Sequence, residues 1–334
     1  MHRILFTAIL IFYSLYPDLV QGQDVKTLES SVSKTKTFHL QNENITCKVV
    51  IQDNRLEGDS LIGNSVWLSS NGSSPFILCT DAGFGLQFTW TDWQAPKKLV
   101  NADNPVIFDK TDLEMTGHRF RKLGNGGAEV EIAFRGTNNP LLVKVTYHLD
   151  PGTFFFKRKI AVSDTTFGYH FLEKIFGLQC RISGYGQSGI RTASKIFEER
   201  STTGKPLQPA SGGSFFQDPV SILKSGDFGQ PAAFTFQQTG AFFGLEYPAS
   251  ENSAKSENTY QAMVECSQEF GRKIGKEEVE TDWTVEALVP SLNVKDWFYR
   301  YVDEIRVAPA KPYTLYNSWY ASVRLNIPKY RPTM

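Results

Sequence analysis

No surplus of either charge sign marks this chain: 35 lysines and arginines face 35 aspartates and glutamates across 334 residues. Nucleic acids and anionic lipids are bound through a basic excess, so a neutral ligand or a protein partner fits better. Cysteine is scarce. Cys47, Cys79, Cys180 and Cys266 lie far apart, with no C-x-x-C and no histidine at ligand spacing. That pattern points away from a zinc site, and no other metal or cofactor is implied. The sequence also lacks a G-x-S-x-G nucleophile elbow, a G-x-x-x-x-G-K-[ST] phosphate loop and an H-E-x-x-H helix. Beyond the amino terminus no apolar run is long enough to span a bilayer. Long amphipathic helical patterns are few, which argues against an all-helical fold.

What is abundant is aromatic: 25 Phe, 13 Tyr and 6 Trp, with 26 Gly and 16 Pro between them. This supplies apolar area for a large core and turn residues to divide it, so the expected class is mainly β. Residues 127–164 carry the clearest pattern. Val130, Ile132 and Phe134 alternate with Glu129 and Glu131. Val143, Val145, Tyr147 and Leu149 alternate with Lys144, Thr146 and His148. Phe154, Phe156, Ile160 and Val162 alternate with Phe155, Lys157 and Lys159. Period two with turn chemistry at Thr137-Asn-Asn-Pro140 and Asp150-Pro-Gly152 predicts a three-stranded antiparallel meander. Further strands are expected at 45–52, 65–69, 76–80, 85–90, 232–236, 242–247, 259–267 and 279–288.

Residues 1–22 read as a secretory signal, with a short polar start, an apolar run from Ile4 to Tyr16 and small residues at Val20-Gln-Gly22, an uncleaved anchor being the alternative. Secreted or periplasmic location follows as an expectation, with no membrane insertion after signal removal. Residues 23–37, polar and rich in Ser, Thr and Lys, are expected to be a loose leader. Export leaves disulfides and buried free thiols as equal alternatives, and four cysteines allow three pairings. Asn44-Ile-Thr46 and Asn71-Gly-Ser73 are glycosylation sequons.

One helix is expected from Asn293 to about Arg306, with Asp296 in its first turn and an apolar stripe of Val294, Trp297, Phe298, Tyr301, Val302 and Ile305. Pro309 and Pro312 break the chain, and Tyr313–Tyr320 reads as one further strand. Its end places Asn317, Ser318 and Trp319 together, polar hydrogen-bonding groups beside an indole, a combination suited to a sugar ring. Trp90, Asp92 and Trp93 offer a second such arrangement, with aromatic edge packing as the structural alternative. His118 and His170 are the histidines to test as proton carriers. His148 falls on a polar strand face and is expected to be solvated. Glu246 sits on an apolar strand, where a structural carboxylate is the simpler reading. Gly184-Tyr-Gly-Gln-Ser-Gly189 matches G-x-G-x-x-G, but no β/α alternation surrounds it, so a loop is expected.

Gly229-Gln-Pro231, Phe242-Phe-Gly-Leu-Glu-Tyr-Pro248 and Leu315-Tyr-Asn-Ser-Trp-Tyr320, taken in order with the meander, resemble the amino-terminal part of α-galactosidase-like glycoside hydrolases of family 36 and relatives. The resemblance covers roughly residues 40 to 325. It implies a large antiparallel β-supersandwich of the galactose-mutarotase-like kind over 38–290, a linking helix over 291–308 and the start of a (β/α)8 barrel over 309–334. It implies that Asn317, Ser318 and Trp319 belong to the first barrel strand and line the sugar pocket. The family's catalytic aspartates stand on later barrel strands, and no residue here matches them. The expectation is therefore a secreted carbohydrate-active protein with a galactoside-like ligand, not catalytic in this form. A homo-oligomer is compatible with it. A stand-alone carbohydrate-binding or adhesion module and a mutarotase-type epimerase are the alternatives.

Overall fold

The computed structural model describes residues 23–64, 76–90, 105–166, 170–183, 192–195, 221–223, 231–235, 239–258, 261–290 and 293–306. The chain divides into two units, 1–298 and 299–334. In the first unit the strands are β1 (Lys26–Val32), β2 (Thr35–Gln41), β3 (Ile45–Gln52), β4 (Arg55–Gly63), β5 (Phe76–Ile77), β6 (Cys79–Trp90) and β7 (Val106–Asp109). After a short 3-10 turn follow β8 (Leu113–Lys122), β9 (Ala128–Gly136), β10 (Leu141–Leu149), β11 (Phe155–Asp164), β12 (His170–Ser183), β13 (Thr192–Lys195) and β14 (Ser221–Leu223). The last are β15 (Ala232–Thr235), β16 (Gly240–Leu245), β17 (Glu251–Asn258), β18 (Gln261–Ile274), β19 (Val279–Glu280) and β20 (Thr284–Val289). Helix α1 (Val294–Ile305) begins in this unit, and residues 299–305 fall in the second.

Two antiparallel sheets enclose one core. The eleven-stranded sheet runs β1-β2-β3-β4-β6-β12-β18-β17-β14, with β5 on β4 and β7 on β6. The nine-stranded sheet runs β13-β15-β16-β20-β11-β10-β9-β8, with β19 on β11. Phe84 of the first sheet meets Phe134 of the second at 6.3 Å between ring centroids. The mainly β, two-sheet antiparallel class expected above is borne out. The expected further strand at 313–320 lies outside the described residues, as do residues 1–22, the 65–69 strand and Gly184–Gly189.

The meander is present, and its register explains why the alternation was so clear. Val143 pairs with Phe134 and Val162, and Val145 with Ile132 and Ile160, all on the buried face. Each such side chain contributes about 1.5–3 kcal/mol by leaving water. A slip by one residue would turn all of them to solvent. The turn at Asp150-Pro-Gly152 uses the positive φ of Gly152 (74°).

Three local readings are corrected. The segment 23–37 is not a loose leader: β1 pairs with β2 along its length, from Lys26↔Gln41 to Val32↔Thr35. β1 is an edge strand with most side chains exposed, so it has no apolar face to announce it. The strands expected at 76–80 and 85–90 are largely one strand, β6. The strand expected at 279–288 is two, with residues 281–283 between them. β17, with the polar sequence ENSAKSEN, was not foreseen either: it lies between β18 and β14, but Asn252 and Ala254, which it buries, are polar or small.

β6 is bulged. On β12, Gln179 faces Gly83 and Arg181 faces Thr80, so β6 carries one extra residue there. Asp81 takes a φ of 61°, and the Lys110 ammonium holds the Asp81 carbonyl at 3.0 Å. Gly58 of β4 packs directly on this bulge: a Cβ at 58 would stand 2.6 Å from the Asp81 Cα. Backbone cannot yield there as a side chain would. Gly58→Ala is expected to destabilise the protein by about 1–3 kcal/mol, read as a lower urea midpoint. An unchanged midpoint would refute this account of the bulge.

Helix α1 starts as expected. Asn293 Nδ2 donates to Asp296 Oδ2 at 2.5 Å. Trp297 lies edge-on to Phe154 (4.7 Å) and Phe298 edge-on to Phe242 (5.5 Å). No helix among the described residues is long and apolar enough to cross a membrane. The Asn44 sequon is engaged in structure: Asn44 Nδ2 donates to the Gly152 carbonyl (2.9 Å) and Thr46 Oγ1 to Asn64 Oδ1 (2.8 Å).

Candidate functional site

The outer face of the nine-stranded sheet carries the residues that alternate with the core. Register arranges them in two rows across β8, β9, β10 and β11. The first is Arg119–Glu131–Thr146–Lys159, and the second Arg121–Glu129–His148–Lys157. Glu280 of β19 extends the first row by bonding Lys159 (3.2 Å), and Glu246 extends the second by bonding Lys157 (3.1 Å). Opposite charges thus stand directly across from each other, the favourable arrangement for cross-strand pairs. Arg119 bonds Glu131 at 3.2 Å, and Arg121 Nε bonds Glu129 at 3.0 Å.

Trp283 closes one side. It lies in the short link between β19 and β20, which is pinned at three points. Its carbonyl accepts from Glu246 N (2.8 Å), Thr281 N donates to the Ile160 carbonyl (2.9 Å), and Asp282 N donates to Gln268 Oε1 (2.9 Å). The result is a depression of about 190 Å³ lined by Arg119, Arg121, Glu129, Glu131, Thr146, Lys159, Glu280 and Trp283. That is smaller than the roughly 300–1,000 Å³ of drug-sized pockets. The Lys159 ammonium sits 4.8 Å from the Trp283 ring centroid. Three cations and three carboxylates balance, so the pocket presents donors and acceptors without a net field.

His148 stands behind this pocket, and its solvation is a reading the structure corrects. Nδ1 is 3.0 Å from Glu129 Oε1, Nε2 is 2.8 Å from Asp150 Oδ2, and the side chain is only 17% exposed. Burial alone would lower its pKa. The hydrogen bonds to Asp150 and Glu129, and their charges, outweigh that and raise it. In return Asp150 is lowered, chiefly by the His148 hydrogen bond. Glu129 is also lowered, because His148 and Arg121 together outweigh its desolvation. Both imidazole nitrogens are occupied by carboxylates, so His148 positions Glu129 and has no ring nitrogen left to move a proton to a sugar.

His118 and His170 are likewise held by carboxylates. His118 Nε2 bonds Glu29 (3.0 Å) and its ring lies 4.6 Å from Phe38. His170 is buried and paired with Asp164. Glu246 is the ion-pair partner of Lys157, in keeping with a structural carboxylate. Asn317, Ser318, Trp319, Asp92 and Trp93 lie outside the described residues. Trp90 ends β6, with its backbone opposite Phe171, and only its backbone is described. Trp283 was not singled out beforehand. It adjoins the polar Glu280 and Asp282 in a stretch that read as one continuous strand.

A second cluster lies sealed between the sheets. Arg158 of β11 donates to Asp59 of β4 through Nη1 (2.5 Å) and forms an ion pair with Glu286 of β20 through Nη2 (3.2 Å), and Tyr147 Oη donates to Asp59 (3.0 Å). Arg158, Asp59, Glu286 and Tyr147 are all 0% exposed. No substrate reaches it, so its role is structural. The signal was available: Arg158 occupies the core-facing phase of its strand, between Phe156 and Ile160.

No family model matches the chain, and no curated protein matches it. Solved structures do. The family GH36 α-galactosidase AgaB of Geobacillus stearothermophilus superposes with a TM-score of 0.51 at 11% identity, over 86% of this chain and 44% of that one. The galactosidase domain of the α-galactosidase-sucrose kinase AgaSK gives 0.49 at 10% identity, over 79% and 42%. A candidate aldose 1-epimerase from Klebsiella pneumoniae gives 0.43 at 10% identity, over 84% and 87%. The chain spans less than half the length of these α-galactosidase structures. At such identities the likeness establishes the fold, and the assignment rests on AgaB: the two-sheet antiparallel sandwich is shared with that protein.

Proposed function

We propose that this protein binds a neutral sugar and is the β-supersandwich part of an α-galactosidase-like glycoside hydrolase, exported under the direction of residues 1–22. The observation that carries the reading is the Trp283 pocket. An indole stands beside a charge-balanced floor whose donors and acceptors are held in register by four strands. A pyranose offers an apolar face to the ring and hydroxyls to both kinds of partner. The fold shared with AgaB, named an α-galactosidase, supports the class of ligand. Asn317, Ser318 and Trp319, and Trp90, Asp92 and Trp93, stay proposed as further sugar contacts.

We also infer that Glu129 does not act as a glycosidase acid in this pocket. A glycosidase acid needs a carboxyl whose pKa is raised so that it holds a proton to deliver. Glu129 is shifted the other way by His148 and Arg121.

Titration of the full chain with methyl α-galactoside, followed by calorimetry and tryptophan fluorescence, is expected to show millimolar binding. Trp283→Ala should weaken it about fivefold or more, the loss of one ring contact, with the urea midpoint checking that the variant is folded. No binding at tens of millimolar sugar, or binding indifferent to Trp283→Ala, overturns the reading. Turnover of an aryl α-galactoside that Glu129→Gln abolishes would overturn the inference that Glu129 is not such an acid.

A further inference from the structure

We propose that Cys79 and Cys180 are a disulfide-forming pair that staples β6 to β12, while Cys47 and Cys266 stay thiols. The sheet order decides which pairings are reachable. Cys47 lies on β3, Cys79 on β6, Cys180 on β12 and Cys266 on β18, in the spatial sequence β3-β4-β6-β12-β18. Neighbouring strands are about 4.8 Å apart, so cysteines separated by an intervening strand stand beyond the roughly 7 Å Cα limit of a disulfide. Cys47 with Cys79, Cys79 with Cys266 and Cys47 with anything farther are therefore excluded. Two adjacent-strand pairs remain, Cys79–Cys180 and Cys180–Cys266.

The bulge in β6 selects between them. Ile182 faces Cys79 and Arg181 faces Thr80, which makes Cys180 a diagonal neighbour of Cys79 on the core side. The extra residue at Asp81–Ala82 turns the strand at this point, and the two sulfurs lie 3.3 Å apart. Bonding length is about 2.05 Å, so the sulfurs need to close by just over 1 Å. Cys180 and Cys266 are also diagonal, since Leu178 faces Cys266 and Val264 faces Cys180.

Closure removes one proton and one electron from each thiol. A small-molecule or protein disulfide takes up the two electrons and becomes two thiols, by exchange through a mixed disulfide. Cys79 is 0% and Cys180 2% exposed, so the bond forms during folding and is then shielded from reductant.

The test uses the full chain made in an oxidising compartment. It is denatured without reductant, alkylated and weighed, and its peptides are mapped. Two alkylated cysteines, Cys47 and Cys266, and a linked peptide pair containing Cys79 and Cys180 are expected. A phosphine reductant should open the bond only when denaturant is present, and opening should lower Tm by about 5–15 °C, given the 101-residue separation of the two cysteines. Four alkylated cysteines, or a Cys180–Cys266 link, overturns the proposal.

Discussion

Arg158→Met is expected to destabilise the protein by about 3–5 kcal/mol, read as a fall in the urea midpoint. Methionine fills much of the same space, so the loss is electrostatic. The guanidinium is the sole cation bonded to Asp59 and Glu286 among the described ion pairs, at 2.5 and 3.2 Å, and all three groups are fully buried. Removing it leaves two buried carboxyls without a cation, Asp59 with the Tyr147 hydroxyl and Glu286 with the Cys79 thiol as neutral partners. The companion variant Arg158→Met/Asp59→Asn/Glu286→Gln carries no buried charge and should recover a large part of the deficit. That recovery separates an unpaired-charge penalty from simple loss of packing. A single variant within 1 kcal/mol of wild type, or a triple variant no better than the single, would show that the cluster does not bear the load assigned to it.

The same cluster sets the second large effect, a dependence of stability on pH that runs against ordinary acid denaturation. Burial pushes the Glu286 carboxyl up from its ordinary value of 4.5 to about 8; Arg158 opposes the shift and the Asp59 charge adds to it. Asp59 moves up as well, chiefly through burial, although Arg158 and Tyr147 hold it back. A carboxyl raised in the folded state favours folding while it stays protonated. Its contribution is full below about pH 4.5, where both states hold the proton, and is lost as pH rises to about 8. The expected loss is a few kcal/mol over that window. His148 is raised too, so its contribution also fades with rising pH. Glu129 and Asp150 are lowered and act in the acid range, where their contribution is lost as pH falls. Urea midpoints between pH 4.5 and 8 should therefore slope downward in the wild type and markedly less in Glu286→Gln. Equal slopes would refute the assignment to Glu286.

Particular residues show how far the chain could be read in advance. Strands with one apolar and one polar face were legible, because burial of one face imposes period two. Ile45–Gln52 was placed to the residue, and the meander to within a residue or two. β1 and β17 were not legible: polar strands carry backbone hydrogen bonds without an apolar face, and such bonds leave no trace in composition. Arg158 was half-legible. Its phase placed it in the core, while its charge argued for the surface, and only Asp59 and Glu286, 99 and 128 residues distant along the chain, resolve that conflict.

The site followed the same division. That Glu129, Glu131, Thr146, His148, Lys157 and Lys159 face outward was determined by the sequence alone, since alternation with Val130, Ile132, Val145, Tyr147 and Ile160 permits no other face. Which of them stand side by side was decided by tertiary structure, because cross-strand register depends on turns and bulges as well as on hydrophobic phase. It aligned two charge rows, brought Trp283 against them through three backbone anchors, and locked His148 between two carboxylates. It likewise brought the Cys79 and Cys180 sulfurs within 3.3 Å of each other. Periodicity is a local property of a strand, and sulfur-to-sulfur proximity is a property of strand order.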